Sequence, residues 1–183
     1  MTVWLHKGCW HGQEVSVPKP QDENRVDLIL GLTEKQIVAL MDGLASRMVH
    51  DGTVLISEGD FGDSMLLVIE GVVQVVARVG TPAQVLVARR SGGQMIGEVN
   101  FVAGGPRSAS VIAEGDVLFV EFTKAHMNAV MGADPDLARK LAWNLARIMA
   151  ERLRNTTTQF WDAQSTHDLT VLAFRRLQAA TGR

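Results

Sequence analysis

One carboxylate, Glu98, and one guanidinium, Arg107, stand in a glycine-rich stretch that also holds Gly97, Gly104, Gly105 and Pro106. Gly97 lets backbone come close to a ligand because no Cβ intervenes. An ionised Glu98 only accepts hydrogen bonds, which suits a sugar hydroxyl, whereas Arg107 presents a planar fork of donors suited to phosphate. A helical turn after Glu98 would aim free backbone N–H groups at an anion. Together these groups suit the cyclic phosphodiester of a nucleoside. The plain alternative is a solvated Glu–Arg surface pair, which contributes little. The residues between and around the two charges favour the ligand reading.

Those residues are Ile96-Gly97-Glu98-Val99-Asn100-Phe101 and Pro106-Arg107-Ser108-Ala109-Ser110. The run resembles the phosphate-binding cassette of the cyclic nucleotide-binding domain, the sensor of catabolite-activator-type regulators, protein kinase regulatory subunits and cyclic-nucleotide-gated channels. Gly97, Glu98, Arg107, Ser108 and Ala109 match in register, while Asn100 stands where the family commonly has Ala or Gly. The likeness runs from about Val26 to about Phe160, through Gly52–Asp60 and Ile69–Val75.

The resemblance implies a jelly-roll (double-stranded β-helix) of eight strands with an N-terminal helix and a long C-terminal helix. It implies that Glu98 and the Gly97 backbone, with Val99 beside them, hold the ribose 2′-hydroxyl. Arg107 would neutralise the phosphate with Ser108 and Ala109, and Val85, Val87 and the long helix would enclose the base. The Ser108 hydroxyl can serve the phosphate or the 2-amino group of a syn guanine, so it leaves cAMP against cGMP open. Arg152 and Arg154 fall where a helix would close over the purine, and Arg152 is expected to act as a lid by stacking its guanidinium on the base. The expected ligand is cAMP, or cGMP, with no metal and no catalysis. A constitutive interaction domain with a vestigial pocket is the alternative.

Composition narrows the other classes. At 46% apolar and 21% charged residues the chain is globular rather than disordered. A net charge of −2 argues against a nucleic-acid binder, which carries a basic excess. Cys9 is the single cysteine, so no internal disulfide or iron–sulfur cluster forms, in keeping with the cytoplasm. No apolar run reaches the length of a membrane span. His6, Cys9 and His11 are zinc-ligand types without an evident fourth partner. None of His6, His11, His50, His126 and His167 falls in an expected barrel strand, which argues against a barrel metalloenzyme.

The elements that must position Glu98 and Arg107 follow from periodicity. Residues 1–25, with Trp4, Trp10, Pro18 and Pro20, form an arm expected to dock through its tryptophans. Val26 to Met48 has helical spacing, with a Thr33/Gln36 capping box. Short β runs follow at 53–56, 65–69, 72–79, 85–88, 111–113 and 117–122, separated by glycine-containing turns, which indicates a closed or sandwiched antiparallel sheet. A long helix should start at Asp134-Pro135, an N-cap followed by proline at the first position. Leu137, Leu141, Leu145 and Ile148 form its apolar stripe; Lys140, Asn144, Arg147, Glu151 and Arg154 form the polar one. Trp143, Leu145 and Met149 exceed what one buried face needs, so a homodimer through this helix is expected. The helix should weaken at Asn155–Thr158. The sensing domain is set at 26–160, followed by a short helix, roughly Thr166–Leu177, in a 161–183 tail. That tail is too short for a helix-turn-helix, so the chain is expected to act on a protein partner in trans or to be part of something longer. Met1 favours a native start.

Overall fold

A computed structural model of the protein describes residues 28–181, with side chains as far as Trp161. The arm of residues 1–25 and its His6, Cys9 and His11 lie outside the described residues. The element order is α1 (Glu34–Met41), β1 (Ser46–Val49), β2 (Val54–Ile56), β3 (Ser64–Ala77), β4 (Val85–Ser91), β5 (Met95–Ile96), α2 (Glu98–Ala103), β6 (Ser110–Thr123), α3 (Lys124–Ala133) and α4 (Pro135–Thr181). The result is a mainly-β jelly roll flanked by helices.

The strands form one antiparallel sheet in the order β1-β6-β3-β4, with β2 also on β6 and β5 on β3. Where eight strands were expected, the described residues form six, because β3 and β6 each continue through a turn composition in mid-strand. Their shared ladder shifts register on either side of Glu70 instead of breaking. Gly71 makes this possible: its φ is +88°, and a Cβ there would lie 2.3 Å from the Asp116 carbonyl oxygen. Each long strand therefore serves both halves of the roll.

Two apolar cores result. One holds strand residues only, among them Ile56, Leu66, Val68, Val73, Ile96 and Phe119, and fills the roll. The other joins the outer face of the sheet (Met65, Val120, Phe122) to the helices through Leu40, Met127, Leu137 and Leu141.

Among the described residues of the span read as helical, Val26–Met48, the α-helix covers Glu34–Met41. The capping box is present there, with Thr33 Oγ1 accepting from the Gln36 N–H at 3.2 Å and Gln36 Oε1 accepting from the Thr33 N–H at 3.1 Å. Gly43, at φ +73°, ends that segment, and Met48 lies in β1. α4 begins as expected: Asp134 Oδ1 accepts from the N–H groups of Asp136 and Leu137, both at 3.0 Å. Leu137, Leu141, Leu145 and Ile148 are all buried. Asn144, assigned above to the polar stripe, is buried too, and its amide donates to the carbonyls of Leu28 and Leu30 at 2.7 and 2.8 Å. It fastens the entry segment to α4.

α4 does not weaken at Asn155–Thr158, and the separate helix expected near Thr166 is its continuation. Thr157 Oγ1 donates to the Leu153 carbonyl at 2.8 Å, absorbing a hydroxyl that would otherwise compete with the helix. The remaining β-branched penalty is only tenths of a kcal/mol per residue. Among the described residues no helix is long and apolar enough to cross a membrane, and no three His, Cys, Asp or Glu side chains gather as a metal site.

Candidate functional site

β5 delivers the chain to Gly97, which is the N-cap of α2 in the left-handed region at φ +80°. A Cβ at Gly97 would sit 2.7 Å from Arg107 Nη1, so the position demands glycine for its conformation and for space. α2 returns through Gly104-Gly105-Pro106 to Arg107. Asn100 explains its own departure from the family pattern: it is buried, and its amide reaches the carbonyls of Gly104 at 3.5 Å, Gly105 at 3.4 Å and Pro106. It braces the loop that presents the arginine.

Arg107 is held from both sides. Its backbone N–H donates to Asp60 O and its carbonyl accepts from the Gly59 N–H, both at 2.8 Å. Its guanidinium donates to Gly97 O at 3.1 Å and Ser64 O at 2.7 Å. Gly62 shapes the same recess, since a Cβ there would fall 2.7 Å from Nη2. Arg107 is only 6% exposed, and among the described residues it forms no ion pair with a carboxylate. A buried cation answered by two carbonyls and, at 3.4 Å, the Ser64 hydroxyl is suited to receive an anion. Beside it a cavity of about 330 Å³ opens between Ile56, Phe61, Ser64, Leu66, Phe119 and Glu121.

Glu98 is 1% exposed. Arg152 of α4 forms an ion pair with its Oε1 and donates also to the Met95 carbonyl. Glu98 Oε2 is buried and, among the described residues, has no hydrogen-bond partner. Arg90 completes the electrostatics of this corner. It sits opposite Val73 in the β3–β4 ladder. Burial holds its pKa below the ordinary arginine value and the charge of Arg152 adds to that, while Glu98 and Glu151 act in the opposite sense.

Of the residues singled out from sequence, Gly97, Glu98, Arg107 and Arg152 come together through these contacts. Ala109 is half-buried and follows them along the chain, whereas Ser108 and Val99 are exposed. Val85 and Val87 are about half exposed on the edge strand β4, outside the cavity lining. Sequence reasoning missed Gly62, Ser64 and Arg90. Gly62 serves Arg107 through a contact across 45 positions of chain, from Gly62 to Arg107, which no local pattern announces. Arg90 carried no motif signal at all.

A rolled antiparallel sheet here folds a Gly-Glu helix start onto a buried arginine, which places the chain among jelly-roll domains with a built anion site. Residues 46–134 match the family described as "Cyclic nucleotide-binding domain", and the chain belongs to that family. It is similar to the Pycsar effector protein XpPycTIR of Xanthomonas perforans, with 35% identity over 147 residues covering 75% of this chain and 47% of that protein. It superposes on a cyclic nucleotide-binding domain from Methylobacillus flagellatus with TM-score 0.69 at 24% identity, covering 76% of this chain and 79% of that one. It also resembles the regulatory domain of Toxoplasma gondii PKA, crystallised with cAMP, with TM-score 0.53 and 26% identity, covering 64% and 45% of the two chains. The chain spans less than half the length of the curated relatives it matches. The family is regulatory and binds cyclic nucleotides.

Proposed function

We propose that this chain is a non-catalytic sensor in the cytoplasm that binds a cyclic nucleoside monophosphate, cAMP by preference, and passes its occupancy to a protein partner in trans. One observation carries the reading: among the described residues, a buried arginine without a carboxylate partner stands near a buried glutamate with one unpaired oxygen. An anionic ester with a neighbouring hydroxyl answers both at once. In this reading Arg107 takes the phosphate with the backbone of Ser108 and Ala109. Glu98 and the Gly97 backbone take the ribose, with Val99 beside them, and Val85, Val87 and Arg152 border the base. The co-crystallisation of the similar Toxoplasma regulatory domain with cAMP supports this choice of ligand.

A second feature supports self-association. Trp143, Ala146, Ala150, Leu153, Thr157 and Phe160 are spaced alternately by three and four along α4, and all are exposed. Trp143, Leu153 and Phe160 are 65%, 68% and 61% exposed. Leu145, counted earlier with this surplus, belongs instead to the core. The reading is a homodimer through this seam of α4.

Competition binding of cAMP and cGMP tests the ligand assignment. Both should compete for one site, cAMP more strongly but by less than about a hundred-fold, roughly 2.7 kcal/mol. A stronger preference for cGMP overturns the choice of nucleotide. Binding of neither favours a constitutive interaction domain with a vestigial pocket.

A further inference from the structure

Arg107 is reached through two loops that meet at the surface. One is Gly104-Gly105-Pro106, with both glycines left-handed, at φ +73° and +85°, and with Gly105 and Pro106 exposed. The other runs from Ser57 to Phe61 and is exposed throughout. They join through the Phe61–Pro106 bridge and through the backbone bonds of Arg107 with Gly59 and Asp60. The second loop has an anchor of its own, since the Glu58 N–H donates to buried Ser110 Oγ at 3.0 Å. The first loop carries two consecutive glycines, the residue type with most conformational freedom to lose. Its buried anchor is Asn100 of α2. The Asn100 amide reaches the carbonyls of Gly104, Gly105 and Pro106, while its backbone carbonyl accepts from the Gly104 N–H at 2.8 Å. Ala or Gly, common at this place in the family, would keep that backbone bond and offer the three carbonyls no donor.

We infer that Asn100 is a positioning residue that sets Arg107 before any ligand arrives, so that the free chain already holds its anion site in the binding pose. The inference rests on the cyclic-nucleotide reading above for the identity of the ligand, and on the loop geometry for the rest. With the amide in place, three carbonyls are engaged from inside and the glycine loop has one course. Arg107 then enters its recess between Gly62 and Gly97, where neither position has room for a Cβ. Without the amide the loop samples other courses, and Arg107 occupies the recess only part of the time. Apparent affinity is scaled by that fraction, and the loss falls on association, because binding waits for the competent loop. Once bound, the phosphate itself holds the guanidinium, so dissociation changes little.

The test uses the full chain with Asn100→Ala, which removes the side chain, and Asn100→Leu, which keeps a similar size and removes the donor. Hydrogen exchange of the free proteins reads the Gly104 and Arg107 amides. Stopped-flow and calorimetry read cAMP binding, in the parent and in an Arg107→Ala background. Both amides should exchange about ten-fold faster or more in either variant. The association rate for cAMP should fall about ten-fold, with dissociation within about three-fold of the parent. In the Arg107→Ala background the same substitutions should change affinity by less than about three-fold, because no guanidinium is left to position. A merely structural role would cost the same in both backgrounds. An unchanged association rate in a folded variant, a loss carried by dissociation, or an equal cost with and without Arg107 overturns the inference. Failure of both variants to fold overturns it too, since Asn100 would then serve the fold and not the site. A parent that does not bind cAMP overturns the nucleotide reading, and the free loop then decides the inference: amides unmoved by either substitution sink it.

Discussion

Replacing Arg107 with alanine removes a buried cation whose partners are the carbonyls of Gly97 and Ser64, at 3.1 and 2.7 Å. Two effects follow, and they appear in different measurements. In the free protein the Ser64 carbonyl and hydroxyl lose the guanidinium, at roughly 1–3 kcal/mol for a group that stays buried and unpaired, whereas the Gly97 carbonyl keeps its bond from the Phe101 N–H at 3.1 Å. The guanidinium's own burial cost disappears at the same time and offsets part of this. The net change in thermal midpoint should thus be small. In the complex, a charge-assisted contact to phosphate is worth about 1.5–3 kcal/mol, so affinity should fall about ten- to a hundred-fold or more. Arg107→Lys should recover only part of that, because a lysine cannot present a planar fork to two oxygens. Titration calorimetry with cAMP reads the loss, and thermal denaturation of the free proteins shows whether the fold survives. An alanine variant that folds and binds within about three-fold of the parent would refute the assignment of Arg107 to the phosphate.

Three further outcomes follow from the geometry. Asn144→Ala leaves the Leu28 and Leu30 carbonyls without their buried donor and should cost about 1–3 kcal/mol in urea denaturation; an unchanged midpoint would show that this brace is dispensable. Hydrogen bonds from Lys140, then Arg139 and Gln36, hold the Asp136 carboxyl well below the usual carboxylate range. Its contribution is present above the unfolded pKa of about 3.9 and is lost as pH falls through the lower folded value. Asp136→Asn should therefore be less stable than the parent at neutral pH, with the gap closing in acid; a pH-independent gap would contradict the linkage. Leu153→Asp should convert a dimer to a monomer in sedimentation equilibrium, whereas a parent already monomeric at high concentration would remove α4 as an interface.

The site was legible in sequence where neighbouring residues make it. Gly97, Glu98 and Arg107 lie in one short stretch, and the strain at φ +80° demands the glycine that the motif shows. Likewise the caps at Thr33 and Asp134 depend on residues within a single turn. What escaped depends on distance along the chain. The Asn144 side chain sits among polar residues in the helical pattern, and only the arrival of Leu28 and Leu30 makes its burial favourable. Arg90 looks like one of two surface arginines until the β3–β4 register sets it opposite Val73. The strand count failed for a related reason. Glu70-Gly71 and Glu114-Gly115-Asp116 are turn compositions, yet β3 and β6 support each other through a register shift and continue past both. Local propensity was overruled by pairing. α3 escaped the pattern because Lys124–Ala133 is short and weakly amphipathic, and its start is marked only by the Thr123 cap.

Titration of the parent chain with cAMP, with 5′-AMP as control, tests the central claim most directly. One site per chain should saturate with cAMP, and the linear monoester should bind far more weakly, because the roll presents one buried guanidinium and one carboxylate oxygen to a compact phosphodiester. Absence of saturable cAMP binding up to millimolar concentration, or equal binding of 5′-AMP, would contradict it.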